Sequence, residues 1–338
     1  MSRISEKENF MMMLRGEQPE WVPTYSFGKM GPEDPATCWV TPSVLGTHRS
    51  PQGGFDRWGV EYVTTEETGF GALPKPGQFL IDDITKWRDI LKMPDISDFD
   101  WEKAARDDIA KAGINREETA VVILPCDGIF QQLMAFMGFT EGLCAMYEEP
   151  DEVMELFEFI SDFYVEVTKK CIEYYKPDIF NIGDDSATKK DPFVSHQMFQ
   201  EMLVPFYKKV AQPALDAGIP FEFHNCGRCE DYLQDLVDIG VCCWDPAQEV
   251  NDLAAVKAKF GNDLCICGGF DFQVPITWPE FDEEELRAHV RHTIDTLAPG
   301  GGYAFCGGVV GNFSDPAIMK ANMVIADEVN TYGHKFYS

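Results

Sequence analysis

From about residue 120 onward, apolar β-branched runs alternate with stretches whose apolar positions recur at helical spacing, the pattern of βα units and a parallel sheet. The runs predict strands at Ala120–Pro125, Asp178–Asp184, Pro220–Cys226, Val241–Trp244, Leu264–Gly268 and Tyr303–Gly307. Helices are predicted near Gly128–Ala135, Thr140–Met146, Pro150–Tyr175, Ser195–Ala217, Cys229–Ile239, Asp252–Phe260, Glu280–Leu297 and Asp315–Thr331. Upstream the pattern is less regular. Ile4–Gly16 reads as a helix with Ser5 as N-cap, Glu8 completing a capping box and Gly16 as the stop. Val22–Phe27 reads as a short strand, and Gly28–Phe55 as a long irregular excursion of the kind that often forms a lid. Trp58–Thr65 reads as a hairpin strand, Ile84–Met93 as a short helix broken by Pro94, and Trp101–Ala112 as another helix. With Val22–Phe27 the strands number seven, one short of a closed barrel. The expected fold is a distorted α/β (β/α)8 TIM-type barrel, one domain over residues 1–338, with 1–118 as an N-terminal helical and loop elaboration plus first strand.

Composition narrows the function. The chain is 45% hydrophobic and 25% charged, as in ordinary globular proteins, and has neither a run of about 18 apolar residues nor an apolar N-terminal signal core. A cytoplasmic protein without a membrane partner is expected. The formal net charge of −29 offers no basic footprint for a phosphate backbone, so nucleic acid is not an expected partner. Eleven cysteines without an export signal point to metal or thiol roles and not to a disulfide framework.

A barrel of this type builds its active site where the strands end at their C-termini. Asp127, Asp184, Asp185, His224, Cys226, Asp245, Asp271 and Cys306 all fall there, although some of the aspartates are expected to serve only as turn formers or helix N-caps. The most informative stretch is Phe221–Gly227, in which strand alternation puts Glu222, His224 and Cys226 on one side. Its plain reading is a half-buried strand with a core histidine and a buried thiol. Its chemical reading is a zinc site, since imidazole and thiolate are preferred zinc ligands and catalytic zinc keeps three protein ligands and an open position. Cys306 is the best third ligand and Cys267 the next, with Glu222 as an exchangeable ligand, a base or a buried neighbour. Cys226 and Cys229 also form a Cys-x-x-Cys pair that suits thiol redox chemistry. The pairing of this motif with Cys265-Ile266-Cys267 on a strand argues against a four-cysteine knuckle.

The helix ending Met13-Leu14-Arg15-Gly16 before Trp21-Val22-Pro23, the Asp184-Asp185 strand end, Phe199–Tyr207 with Pro205, and His224-x-Cys226-Gly227 occur in an order that resembles the uroporphyrinogen decarboxylase superfamily. They are most similar to its zinc-dependent, corrinoid-linked methyltransferase branch. The resemblance runs from about Ile4 to Asn330 and is weakest in Gly28–Phe55. It implies zinc held by His224, Cys226 and a distant cysteine, Cys306, which here precedes Gly307-Gly308 and so lies a few positions from the family's usual placement. The decarboxylase itself is a poor match, because Tyr25–Gly31 carries one Lys and no Arg to hold a polycarboxylated porphyrinogen.

The implied reaction moves a methyl group between a small methylated substrate and the cobalt of a corrinoid carried by a partner protein. Bound Zn2+ would activate an ether oxygen as leaving group or hold an acceptor thiol as thiolate. Aromatic and sulfur side chains (Tyr25, Phe27, Met30, Trp39, Phe130, Met134, Phe136, Trp244, Phe270, Phe272) favour O-demethylation of a methoxylated aromatic, although the same residues also fill any barrel core. Asp184 or Asp185 would orient a donor hydroxyl or support His224. The alternatives are methylcorrinoid-to-thiol transfer, a zinc-free decarboxylase-like enzyme, and a non-catalytic module with structural zinc.

Overall fold

A computed structural model of the chain describes residues 4–65, 71–270, 281–309 and 315–337. Asp271, Phe272 and the first residue of the predicted Glu280–Leu297 helix lie outside the described residues. The central sheet has seven parallel strands: β1 (Thr37–Val40), β5 (Ala120–Ile123), β6 (Ile179–Gly183), β7 (Phe221–His224), β8 (Val241–Ala247), β9 (Cys265–Gly269) and β10 (Tyr303–Cys306), adjacent in that order. Between β1 and β5 the chain makes a small antiparallel sheet of β2 (Gly54–Phe55), β3 (Glu61–Thr64) and β4 (Ala72–Pro74).

The stretch Val22–Phe27 runs between the two edges of the parallel sheet. Tyr25 N–H donates to Phe305 O at 2.8 Å and Phe305 N–H to Pro23 O at 2.8 Å, while Trp39 N–H donates to Phe27 O at 3.0 Å. It joins β10 through a single bridge at Thr24 and does not form a full strand. The strand missing from the sequence reading is β1, which lies inside the Gly28–Phe55 stretch read as irregular. Four residues, Thr-Cys-Trp-Val, are too short to show a period, and the nearby Pro35 and Pro42 read as loop. The excursion is corrected accordingly: it carries a barrel strand.

Strands buried on both faces must be apolar throughout, and alternation sends successive side chains to two different cores. Ala120, Val122 and Leu124 join Phe10, Met13, Tyr25, Cys243, Cys265, Cys267 and Cys306 inside the barrel. Val121 and Ile123 face outward into the larger core beneath the helices. The N-terminal helix Glu6–Leu14, capped by Ser5 Oγ accepting from Glu8 N–H, closes the interior with Phe10 and Met13. Asn9 fastens it by donating to Trp21 O at 2.9 Å and accepting from Glu20 N–H at 2.8 Å. The predicted helix Pro150–Tyr175 is observed with those bounds, and Ser195–Ala217 is one helical run from His196 to Asp216 with a π turn at Phe199–Leu203.

Asp56 organises the start of the small sheet: one oxygen accepts from Trp58 N–H (2.9 Å) and Val60 N–H (2.8 Å), the other from Gln132 Nε2 (3.2 Å). Burial pushes this carboxyl up to about 6, against the hydrogen bonds that favour its ionised form. Folding therefore prefers the protonated acid. Stability from this group is fully present below the unfolded value of about 4 and is lost as pH rises to about 6, by up to about 3 kcal/mol. Asp56→Asn should flatten that decline, so that urea unfolding shows the variant gaining on the wild type between pH 4.5 and pH 7. A difference independent of pH would contradict this account.

Candidate functional site

Register places the site. In the parallel ladder His224 at the end of β7 lies beside Gly183 of β6 and Asp245 of β8, and Asp185 follows β6 by two residues. His224 Nδ1 is 2.7 Å from Asp245 Oδ2, and its Nε2 is 3.6 Å from Cys226 Sγ and 3.7 Å from Asp185 Oδ1. Cys226 N–H donates to that same Asp185 oxygen at 2.7 Å, which holds the carboxylate beside the thiol. Ligand atoms of Asp185, His224 and Cys226 all lie within 4.8 Å of one another. A tetrahedral zinc with bonds of about 2.0–2.3 Å sets its ligand atoms roughly 3.3–3.7 Å apart, so the donor set and the two distances from His224 Nε2 fit the metal.

The surroundings orient this group. A carboxylate only accepts, so the fully buried Asp245 keeps a proton on Nδ1 and directs Nε2 toward Cys226 and Asp185. The Trp39 ring stands edge-on to the imidazole at 5.0 Å and Phe27 at 6.0 Å. Burial opposes the imidazolium, yet the Asp245 carboxylate outweighs it and His224 stands well above its ordinary pKa. Burial likewise raises the Cys226 thiol, with His224 acting in the opposite direction. A metal bound at Nε2 and Sγ displaces both protons.

Glu222, predicted on the same face, points into the barrel interior. It accepts from Tyr25 O–H at 2.5 Å and from Asn181 Nδ2, and Asn181 Nδ2 also reaches Asp245 Oδ1 at 3.3 Å. Trp39 Nε1 donates to Tyr25 Oη at 2.5 Å, so a chain of polar groups runs from Trp39 through Tyr25, Glu222, Asn181 and Asp245 to His224. Burial, and then the neighbouring Asp245 carboxylate, push the Glu222 carboxyl well above its usual range.

The other expected residues fall nearby but apart. Asp184 is fully buried at the N-terminus of the helix Phe130–Met137, where it accepts from the N–H groups of Ile129, Phe130 and Gln131 and from Tyr207 O–H. Cys306, buried at the end of β10, is not in the Asp185–His224–Cys226 group. Cys267 lies against Cys243, their sulfurs 3.3 Å apart. Cys229 is buried and donates to Asn225 O.

Asp185 and His224 open onto a cavity of about 550 Å³, whose wall also includes Trp39, Tyr62, Met134 and Phe139. Of the aromatic and sulfur residues noted in the sequence, Trp39 and Met134 line it, Phe130, Phe136, Trp244 and Phe270 are core, and Met30 is exposed. Sequence reasoning missed His48 and Arg49, which line the cavity from the stretch read as a lid and bind Asp127. The available signal was a His-Arg pair in a candidate lid.

A family model described as Uroporphyrinogen decarboxylase (URO-D) matches residues 80–324. The chain belongs to this family. The match spans β5 to β10, and with them Asp185, His224 and Cys226. Among solved structures, a methyltransferase from Methanosarcina mazei aligns over 98% of this chain and 100% of its own with a TM-score of 0.62, at 13% identity, which shows a shared fold. A Beta-1,4-mannanase from the common sea hare Aplysia kurodai aligns over 72% of this chain and 76% of its own at 9% identity, and its TM-score of 0.39 supports no conclusion. No curated protein matches significantly. No described helix is long and apolar enough to cross a membrane.

Proposed function

We propose that the protein is a zinc-dependent methyltransferase that moves a methyl group between a methoxylated aromatic substrate and the cobalt of a corrinoid held by a partner protein. The observation that carries the reading is the Asp185–His224–Cys226 group at the rim of a largely apolar cavity. His224 and Cys226 would hold the metal, with Asp185 beside them and Cys306 as the thiolate implied by the family pattern. When bound, zinc supplies a Lewis acid for the ether oxygen. Asp245 fixes the imidazole, and Trp39 and Phe139 provide an apolar seat for the ring; the partner's reduced corrinoid would supply the nucleophile for the methyl group, and the aryloxide released would take a proton from solvent. The family membership and the fold shared with a methyltransferase support this reading, as does the scarcity of arginine for a polycarboxylate: Arg49 is the one Lys or Arg among the described residues lining the cavity.

The test is metal analysis of the purified protein followed by a screen of methoxylated aromatics with a reduced corrinoid protein. About one zinc per chain and formation of methylcobalt are expected. A chain that binds no zinc, or transfer unaffected by His224→Ala, overturns the proposal.

A further inference from the structure

We propose that Asp127, Arg49 and His48 form a polar recognition wall in the cavity, one that selects a neutral aromatic ring bearing a hydroxyl group. The inference rests on the methyltransferase reading only for the expectation that the ring also carries a methoxy group.

Asp127 follows β5 and lines the same cavity as Asp185 and His224. One of its oxygens, Oδ1, takes every polar contact from the protein: His48 Nε2 at 3.1 Å, Arg49 Nε at 3.0 Å and Arg49 Nη2 at 2.9 Å. The other oxygen has no protein partner among the described residues and is not sealed from the cavity. Burial acts to raise this carboxyl, but Arg49 and His48 outweigh it and keep Asp127 below the usual carboxylate range. An ionised acceptor with one oxygen still open therefore faces the cavity. Arg49, its side chain 34% exposed, contacts Asp127 through Nε and Nη2, leaving Nη1 as a donor without a partner among the described residues. His48 is 3% exposed, its ring tilted against Tyr62 at 4.9 Å, and its Nδ1 is buried without a partner among the described residues. Buried polar atoms are rarely left unpaired, and a carboxylate held by a guanidinium and an imidazole in an apolar cavity is a binding feature more than a packing one.

Charge decides what the wall accepts. Arg49 is already balanced by Asp127, Asp185 lines the same cavity, and the chain carries −29, so a carboxylate ligand meets no net attraction. A quaternary ammonium ligand has no hydrogen to donate to the open Asp127 oxygen and no atom to accept from Arg49. A neutral hydroxyl matches both groups, donating to the open Asp127 oxygen and accepting from the Arg49 guanidinium, each a charge-assisted bond. Tyr62, Phe79 and Phe139 supply the aromatic surface for the attached ring.

The experiment measures binding by calorimetry to the metal-free protein without any corrinoid protein, so it reads recognition and not catalysis. The probes are 2-, 3- and 4-methoxyphenol, each against the dimethoxybenzene with the same substitution, with 2-methoxybenzoate and phenyltrimethylammonium as charged comparators. At least one methoxyphenol should bind about ten-fold or more tighter than its dimethoxy analogue, because a hydrogen bond to a charged group is lost. Both comparators should bind more weakly than that phenol. Arg49→Met and Asp127→Asn should each cut the preference to about three-fold or less. Arg49 is partly exposed, so its variant keeps the test decisive if Asp127→Asn fails to fold. Equal binding of each pair, tighter binding of a charged comparator, no binding of any probe, or a preference unchanged in Arg49→Met overturns the proposal. A preference that holds while no methyl transfer occurs removes the proposed reaction and leaves the recognition wall standing.

Discussion

Replacing His224 by alanine is expected to yield a folded chain that has lost most of its zinc and all measurable methyl transfer. The imidazole Nε2 stands between the Cys226 sulfur at 3.6 Å and the Asp185 oxygen at 3.7 Å, so its removal takes away the central donor of the group. Replacing even an outer hydrogen-bond partner of a metal-bound histidine typically weakens metal binding about 10–100-fold, and loss of the ligand itself should exceed that. Asp245→Asn supplies the calibration: with the carboxylate gone, Nδ1 loses its fixed partner, and zinc affinity should fall within that 10–100-fold range while Cys226 and Asp185 stay in place. Competition with a chromophoric chelator gives both affinities. Cys226→Ser provides an independent removal of a donor, useful because His224→Ala leaves Asp245 buried with fewer partners. In the same assay a fall in affinity for Asp185→Ala, whose carboxylate is already within reach, and for Cys306→Ser would place both in the ligand set. Unchanged zinc content in His224→Ala and Cys226→Ser together would remove the metal from the site.

The readable part of this site was the part that is local in sequence. His224 ends β7 and Cys226 follows it by two residues, just past the strand predicted to run to Cys226, so a short spacing was enough to bring imidazole and thiol together. Asp185 was legible as one of two strand-end acids that would orient a donor hydroxyl or support His224; its distance to His224 depends on the pairing of β6 with β7, which spacing does not reveal. The partner of His224 shows the same limit. Asp245 was visible as a strand-end aspartate, yet its role follows from the β7–β8 register that sets it beside the imidazole. Glu222 was correctly placed on the same strand, but its fate was decided by Tyr25 and Asn181, residues 197 and 41 positions away. The fold was legible wherever strands are long and buried on both faces. It was lost at β1, whose place at the edge of the sheet is set by backbone pairing with β5 and not by any apolar run of its own.

Asp184 carries the largest expected effect on stability. Its carboxylate accepts three backbone N–H groups at the start of Phe130–Met137, at 2.7 to 2.8 Å, and the Tyr207 hydroxyl at 2.7 Å. The first N–H groups of a helix have no partner within it, and here those of Ile129 and Phe130 are buried, so no water is at hand to replace the carboxylate there. Burial nevertheless pushes the Asp184 carboxyl up to about 6 despite those bonds, which means that its ionisation at neutral pH is itself costly. Asp184→Ala removes that cost but orphans four donors. At about 1–3 kcal/mol for each unsatisfied group, the loss should dominate and leave a net destabilisation of about 4 kcal/mol, read from urea unfolding at pH 7. Tyr207→Phe, which removes one donor and leaves the backbone bonds, should cost about 1–2 kcal/mol. Gly128→Ala should approach the aspartate variant, because the residue has φ +84° and an added Cβ would lie 2.5 Å from Asp184 Oδ1, forcing the carboxylate off the helix. Since this helix also carries Gln131 and Met134 into the cavity wall, the three variants should lose ligand binding in the same order as they lose stability. A stable Asp184→Ala protein with weakened zinc binding would instead make Asp184 part of the metal site.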